Sequence, residues 1–349
     1  MAETEVRASI IMPAYNAART LEQAIGSALR QTERRVEVLV IDDASTDATA
    51  DIAAGFATAD ARVRLLRQPI NRGPAAARNL GMQAARGAWT ALLDADDQFA
   101  PERLETLIAM GESHGADIVA DNLLLCPEGE HEHASPMLAP ALLPEAKWMS
   151  AAEFVAGNVG SRYTPRISYG FLQPLIRRRF LQTHRLRYEE KNRFGEDYLF
   201  ALNCLLRGAR WWITPLAMYF YRVQSGTLTE VQSAADLSRI GAYEAALLRS
   251  HPVVAADPSL AAALRRHKRV MEHFYYYRAF TDALKARSFM PAASLLLESA
   301  HSFRHIIAES AMQAPRVALK ALRGGFRQSR SAQAVPAAAG IPHDLPAPK

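Results

Sequence analysis

Two aspartates stand two residues apart in Leu93-Asp94-Ala95-Asp96-Asp97, directly after an apolar run of strand length, Trp89–Leu93. Side chains at i and i+2 of an extended chain point to one side, and two carboxylates sharing space repel each other unless a cation lies between them. Mg²⁺ or Mn²⁺ meets that need, because a hard divalent ion takes one or two carboxylates and fills its shell with substrate phosphates. Asp94 and Asp96 are therefore the expected metal ligands, Mn²⁺ or Mg²⁺ the expected cofactor, and a diphosphate the leaving group that suits them. The ordinary alternative for Asp-x-Asp is a helix cap in a solvated loop.

Other charged residues fall at comparable places. Arg78, within Gly73-Pro74-Ala75-Ala76-Ala77-Arg78-Asn79-Leu80-Gly81, lies in the first turn or two of a helix. A cation is a poor partner for that end of the helix dipole unless an anion is bound, which favours a phosphate or base contact over a surface salt bridge. Asp42 and Asp43 follow the apolar run Val36–Ile41 and suit a turn leading into the next helix, with Ser45 as the nearer cap. Glu196 and Asp197 precede the apolar block Tyr198–Leu206, where an acidic pair caps a helix.

The elements that must position these residues alternate. Ser9–Pro13 reads as a strand, Thr20-Leu21-Glu22-Gln23 as a capping box opening a helix, and Val36–Ile41 as a strand. A helix after Ser45, a strand at Val63–Leu66, a helix from Pro74, a strand at Trp89–Leu93 and a helix from Pro101 continue the pattern. Such alternation predicts a mostly parallel sheet with helices on both faces. Ligands of an open α/β sheet bind beyond the carboxyl ends of its strands. Pro13-Ala14-Tyr15-Asn16, Asp42-Asp43-Ala44-Ser45, Asn71-Arg72-Gly73-Pro74 and Asp94-Ala95-Asp96-Asp97 should therefore share one rim.

In order and spacing these four segments resemble family 2 of the GT-A glycosyltransferases throughout residues 7–110. The resemblance implies a GT-A fold, Rossmann-like and α/β, that binds a nucleotide sugar. By the same resemblance, Pro13, Ala14, Tyr15 and Asp43 hold the nucleotide base, Asn71 and Arg78 the nucleoside diphosphate, Asp94 the ribose side and Asp96 the metal. The family also carries an acidic pair about a hundred residues after its metal motif, matched by Gly195-Glu196-Asp197-Tyr198-Leu199-Phe200. This makes Asp197, with Glu196 beside it, the implied catalytic base of an inverting transfer. In Tyr219–Thr227 the sequence departs from the pattern, with Gln224 where many relatives have His, which leaves a phosphate or metal role for that segment in doubt. Gly73–Gly81, Ala116–Leu125 and Tyr169–Phe180 look most like bacterial exopolysaccharide enzymes of the succinoglycan glucosyltransferase kind. The implied activity is hexosyl transfer from a UDP-sugar, glucose being one candidate, to a lipid-linked or oligosaccharide acceptor.

Length sets no obstacle to an enzyme, and the composition is close to that of an average soluble globular protein. The 349 residues are 49% hydrophobic and 22% charged, with no run near eighteen apolar residues. The acidic start Met1-Ala2-Glu3-Thr4-Glu5 lacks the basic and apolar regions of a signal peptide, so a cytoplasmic location is expected. Cys126 and Cys204 are far apart in apolar surroundings and are expected to be buried free thiols. Between Leu260 and Arg330 there are 13 Lys/Arg against 4 Asp/Glu, a balance of +9, which leaves −4 of the total of +5 for the rest. Arg316, Lys320, Arg323 and Arg327 recur at spacings of three and four, with Val317 and Leu319 elsewhere on the helix, which suits weak peripheral attachment to an anionic membrane face. The solvated surface of a helix is the plain alternative, and nucleic acid is not among the expected partners.

The expected organisation is a GT-A nucleotide-sugar and acceptor domain at 1–230, a basic helical region at 231–330 with two to four helices between Asp236 and Gln313, and a disordered tail at 331–349 rich in Ala and Pro. Pro127–Pro144 reads as a loop, and its His131-Glu132-His133 lacks the i,i+4 spacing of a helical zinc motif. No P-loop and no Gly-x-Gly-x-x-Gly is present, which argues against an ATPase or a dinucleotide-dependent dehydrogenase. Two other readings stay open at this level. One is a nucleotidyltransferase that forms nucleotide sugars, although Pro13-Ala14-Tyr15-Asn16 is not the Gly-rich basic loop of that class. The other is a catalytically silent protein that keeps the nucleotide pocket.

Overall fold

The computed structural model describes residues 5–127, 131–159, 169–223, 233–297 and 307. Its first half alternates as β1 (Ala8–Ala14), α1 (Leu21–Leu29), β2 (Val36–Asp42), α2 (Thr49–Ala59), β3 (Val63–Arg67), α3 (Pro74–Ala84) and β4 (Trp89–Leu92). Then come β5 (Gln98–Phe99), α4 (Arg103–His114), β6 (Ile118–Pro127), β7 (Ser135–Pro136), β8 (Lys147–Met149) and α5 (Ala151–Gly157). After these follow β9 (Leu175–Arg177), α6 (Arg178–His184), α7 (Glu196–Leu206) and β10 (Trp211–Val223). Four helices close the described chain: α8 (Ala234–Ser250), α9 (Pro252–Ala256), α10 (Pro258–Lys285) and α11 (Phe289–Leu297). The chain divides into two compact units, Met1–Arg278 and Ala279–Lys349.

Among the described residues one sheet runs in the order β3-β2-β1-β4-β9-β6-β10-β5, with β7 beside β6 and β8 beside β10. β1, β2, β3 and β4 pair in parallel, as their intervening helices require, and β10 is parallel to β6. β9 is inserted antiparallel between β4 and β6. β1 and β2 read as nearly unbroken apolar runs because both faces are covered, and Ile10, Ile11, Met12, Leu39 and Ile41 are fully buried. Cys126 and Cys204 are buried free thiols, as expected. No helix among the described residues is long and apolar enough to cross a membrane.

Three local expectations need correction. Thr20 precedes α1, but its hydroxyl donates to the Ala17 carbonyl at 3.4 Å and makes no capping bond. Its backbone closes a preceding turn and is not extended as a capping residue must be, so the capping box does not form. Ser45 does not cap the second helix; its hydroxyl accepts the Asn16 N–H at 3.0 Å, and α2 begins at Thr49 with Asp47 accepting the Thr49 N–H at 3.0 Å. Pro101 lies in a turn ahead of α4, which starts at Arg103. Pro74 does occupy the first turn of α3.

Candidate functional site

α3 carries the cation of the site. It lies so close to β1 that a Cβ on Gly81 would stand 2.4 Å from Ile11 Cγ2, and Ala75, Ala76 and Ala77 keep the helix thin where it meets the sheet. Gly73, at φ +88°, turns the chain into the helix. Asp43, at the end of β2, fixes that turn: its Oδ1 accepts from Gln68 Nε2 at 2.9 Å and Arg72 N at 2.8 Å, and its Oδ2 from Gly73 N at 2.7 Å. The Ala14 carbonyl takes the Asp43 N–H at 2.9 Å, which joins the β1 and β2 rims. Tyr15 is 51% exposed beside them, Pro13 is partly buried, Ala14 is buried and Asn71 is exposed on the loop before α3. Asp42 takes the part foreseen for a turn residue, accepting from Ser45 N at 3.1 Å and Arg67 Nε at 3.2 Å.

Arg78 does not form a surface salt bridge. Its side chain is 5% exposed and meets three carboxylates: Nη1 donates to Glu196 Oε1 at 2.9 Å and Asp197 Oδ1 at 3.0 Å, and Nη2 to Asp94 Oδ1 at 3.1 Å. Its Nε has no hydrogen-bond partner among the described residues, and the guanidinium lies 5.5 Å from the centre of the Tyr188 ring. A cation with three anionic neighbours stays protonated despite burial. One arginine thus gathers the β4 rim and the first turn of α7, the two acidic motifs found in the sequence.

Around Asp94 and Asp96 charge is left over. With all ionised, Asp94, Asp96, Asp97, Glu196 and Asp197 carry five negative charges against the two of Arg78 and Arg222, whose Nε donates to the Asp96 carbonyl at 3.1 Å. Burial first, and the charge of Asp94 next, push the Asp96 carboxyl up to about 6. Asp97 is held well above the usual carboxylate range by burial and then by Asp96 and Asp94. This excess suits a divalent cation. Among the described residues no group of three or more His, Cys, Asp or Glu can hold a metal, so an ion at Asp94 and Asp96 would take its other oxygens from diphosphate and water.

Asp197 combines access with a raised pKa. Its side chain is 24% exposed. Burial pushes its carboxyl up, Arg78 pulls it down, and Glu196 and Asp94 push it up again, leaving it at about 7. A carboxylate poised near neutrality can accept a proton from an attacking hydroxyl. Glu196, 11% exposed, is more deeply placed.

Several supporting residues were missed. Asn79 clamps the chain ahead of α7: its Nδ2 donates to the Tyr188 carbonyl at 3.0 Å and its Oδ1 accepts the Tyr188 N–H at 2.8 Å. Glu190 accepts from Asn79 at 3.0 Å and from Arg72 at 2.6 Å. The Tyr219 hydroxyl donates to Asp97 at 2.8 Å and accepts the Asp94 N–H at 3.2 Å, and the Arg222 N–H donates to Asp97 at 2.8 Å. Asp97 therefore braces the Asp94–Asp96 segment against β10. The third carboxylate in Asp94-Ala95-Asp96-Asp97 was the available signal, since a buried carboxylate needs donors. Gln224 lies outside the described residues.

Comparison with known proteins identifies the family to which this fold and its acidic rim belong. Residues 9–189 match Glycosyl transferase family 2. The chain is 34% identical over 335 residues, 95% of itself and 92% of the relative, to the succinoglycan biosynthesis protein ExoO of Rhizobium meliloti (strain 1021). It is 36% identical over 280 residues, 80% of each chain, to the succinoglycan biosynthesis protein ExoU of the same organism. Among solved structures it resembles S. aureus TarS 1-349 in complex with UDP-GlcNAc, with TM-score 0.60, 17% identity, and coverage of 83% of this chain and 90% of that one. It also resembles the mannosyltransferase PcManGT from Pyrobaculum calidifontis in complex with GDP-Man and Mn²⁺, with TM-score 0.51, 17% identity, and coverage of 88% and 80%. The chain belongs to glycosyltransferase family 2 and has its α/β GT-A fold, which closes the nucleotidyltransferase alternative.

Proposed function

We propose that this glycosyltransferase moves a hexose from a UDP-sugar to a hydroxyl of a lipid-linked or polysaccharide acceptor in exopolysaccharide synthesis, inverting the anomeric carbon. The observation that carries the mechanism is Arg78, which holds Asp94 and Asp197 on either side of one guanidinium. The acceptor oxygen attacks the anomeric carbon, its proton passes to Asp197, and the bond from that carbon to the UDP oxygen breaks. An α-linked donor then gives a β-linked product. Glu196 keeps Arg78 against Asp197. Bound by Asp94 and Asp96, Mn²⁺ or Mg²⁺ would supply positive charge to the departing diphosphate. Arg78 adds its charge to that region from a fixed place among the carboxylates.

On this reading Pro13, Ala14 and the exposed Tyr15 contact the base, Asn71 contacts the diphosphate from the loop that Asp43 fixes through Arg72 and Gly73, and Asp94 serves the ribose side. Supporting this reading, the two similar structures hold UDP-GlcNAc in one case and GDP-Man with Mn²⁺ in the other, and both relatives are named for succinoglycan biosynthesis. Calorimetry with UDP-glucose, UDP-galactose and UDP-N-acetylglucosamine, with Mn²⁺, Mg²⁺ or chelator, tests it. One donor should bind tightly only with metal and release UDP when acceptor-bearing membrane extract is added. Absence of metal-dependent binding by any of them contradicts it.

A further inference from the structure

α8 lies along the segment that carries the acidic pair, and it does so with one stripe of side chains. Asp236 accepts the Arg193 N–H at 3.2 Å, and Arg239 donates to Asn192 Oδ1 at 2.7 Å. Ile240 fills the space over Gly195, where a Cβ would stand 2.6 Å from its Cδ1; at φ +73°, that glycine makes the turn into α7. The Tyr243 hydroxyl donates to Asn203, and Glu244 accepts the Tyr198 hydroxyl at 2.6 Å. Positions 236, 239, 240, 243 and 244 recur at three and four residues and form one helix face. That face spans the chain from Asn192 to Asn203, with Glu196 and Asp197 inside it.

The last of these contacts is the most constrained. Glu244 is fully buried, and its Oε1 receives both the Tyr198 hydroxyl and Nδ1 of His267 from α10, each at 2.6 Å. Its Oε2 has no hydrogen-bond partner among the described residues. His267 is buried and stacks on the Tyr198 ring at 4.5 Å, and Phe154 from α5 stacks on the same ring at 5.6 Å. A buried carboxylate is costly unless its donors stay in place, so this cluster tolerates little displacement of the phenol. Tyr198 is the residue after Asp197.

We infer that Tyr198, Glu244 and His267 are positioning residues for sugar transfer, through which α8 and α10 fix the first turn of α7 and hence the aim of the Asp197 carboxylate. These helices lie beyond residue 189, where the family match ends. The inference rests on the proposed role of Asp197. A misplacement of about 1 Å at a reacting group can cost on the order of 10²-fold in rate, so loosening this cluster should act on turnover more than on binding.

The test uses the full-length protein and the donor that the parent binds with Mn²⁺. Tyr198→Phe removes one hydroxyl and keeps both ring stacks, and His267→Gln keeps a side-chain donor. Tyr198→Phe should lower kcat about 10-fold to 100-fold with UDP affinity in Mn²⁺ within about twofold of the parent. His267→Gln should lose less than His267→Leu. Parental kcat per folded molecule in Tyr198→Phe, whatever its melting temperature, overturns the inference, as does an equal loss of kcat and UDP affinity. Asp197→Asn is run beside them: if it keeps parental turnover, the base assignment fails and the positioning role falls with it. If Asp197→Asn is inactive and Tyr198→Phe is not, only the positioning role is wrong.

Discussion

Arg78 reaches Asp94 at 3.1 Å with one terminal nitrogen and Asp197 at 3.0 Å with the other, so a single buried guanidinium joins the proposed metal motif to the proposed base. These carboxylates come from the turn after β4 and from α7, more than a hundred residues apart in sequence. Their spacing therefore depends on the Arg78 side chain as much as on the backbone.

Arg78→Met should leave those carboxylates without their cation. Breaking a buried ion pair on one side costs about 3–5 kcal/mol, and the partial exposure of the partners places the loss near the lower end, about 3 kcal/mol at pH 8. The loss should shrink at pH 5, because carboxyls deprived of Arg78 take up protons more readily. Urea unfolding at the two pH values measures it. A loss below about 1 kcal/mol at pH 8, or one independent of pH, contradicts the central place given to this residue.

Asp96 should reveal the metal through pH. Its folded carboxyl titrates near 6, above its unfolded value, so metal-dependent UDP binding should weaken as the pH falls through about 6 and protons displace the ion. Without metal the sign reverses. A carboxyl raised in the folded state contributes stability that is complete below its unfolded pKa and lost as the pH rises through about 6. Asp96→Asn should therefore abolish the effect of Mn²⁺ on UDP affinity while stabilising the metal-free protein at pH 8 by roughly 1 kcal/mol. Calorimetry and thermal unfolding with chelator check both. UDP affinity that still responds to Mn²⁺ in the variant contradicts the assignment.

Much of this was legible because local signals and tertiary placement coincide. The apolar runs of β1 and β2 and Pro74 at the head of α3 each follow from near neighbours in sequence, and they set the rim. Asp94 and Asp96 come together after β4 in a turn that the Asp97 N–H closes on the Asp94 carbonyl at 3.0 Å, and not as i,i+2 neighbours of an extended strand. The antiparallel insertion of β9 was not legible, since Leu175–Arg177 is three residues long and its neighbours, β4 and β6, are distant in sequence. Arg78 was picked out by its poor fit to the helix dipole, but its partners were not, because an i,i+118 contact leaves no periodic trace. The same holds for Asn79 against Tyr188 and for Glu244 against Tyr198. Thr20 shows the opposite error, where a local motif was present and the preceding turn overrode it.

The basic stripe Arg316, Lys320, Arg323 and Arg327 lies outside the described residues, and its attachment to an anionic membrane is proposed from sequence alone. Each basic side chain near an anionic surface is worth about 1 kcal/mol at low salt, screened as salt rises. Replacing all four by Gln should reduce sedimentation with phosphatidylserine-containing vesicles at least tenfold, and 0.5 M salt, roughly a 4 Å screening length, should do the same to the parent. Binding that is absent from the parent, or unchanged by either treatment, contradicts the proposal.

Asp197→Asn tests the central claim most directly. The amide keeps the size and most hydrogen bonds of the carboxylate but cannot take a proton. In the parent, kcat/KM should rise with pH through about 7 as the carboxyl ionises, and the product should be β-linked from an α-linked donor. The variant should bind UDP with Mn²⁺ as the parent does, turn over about 10²-fold to 10⁴-fold more slowly per folded molecule, and lose that rise with pH. Near-parental turnover in Asp197→Asn, or an α-linked product from the parent, would contradict the mechanism.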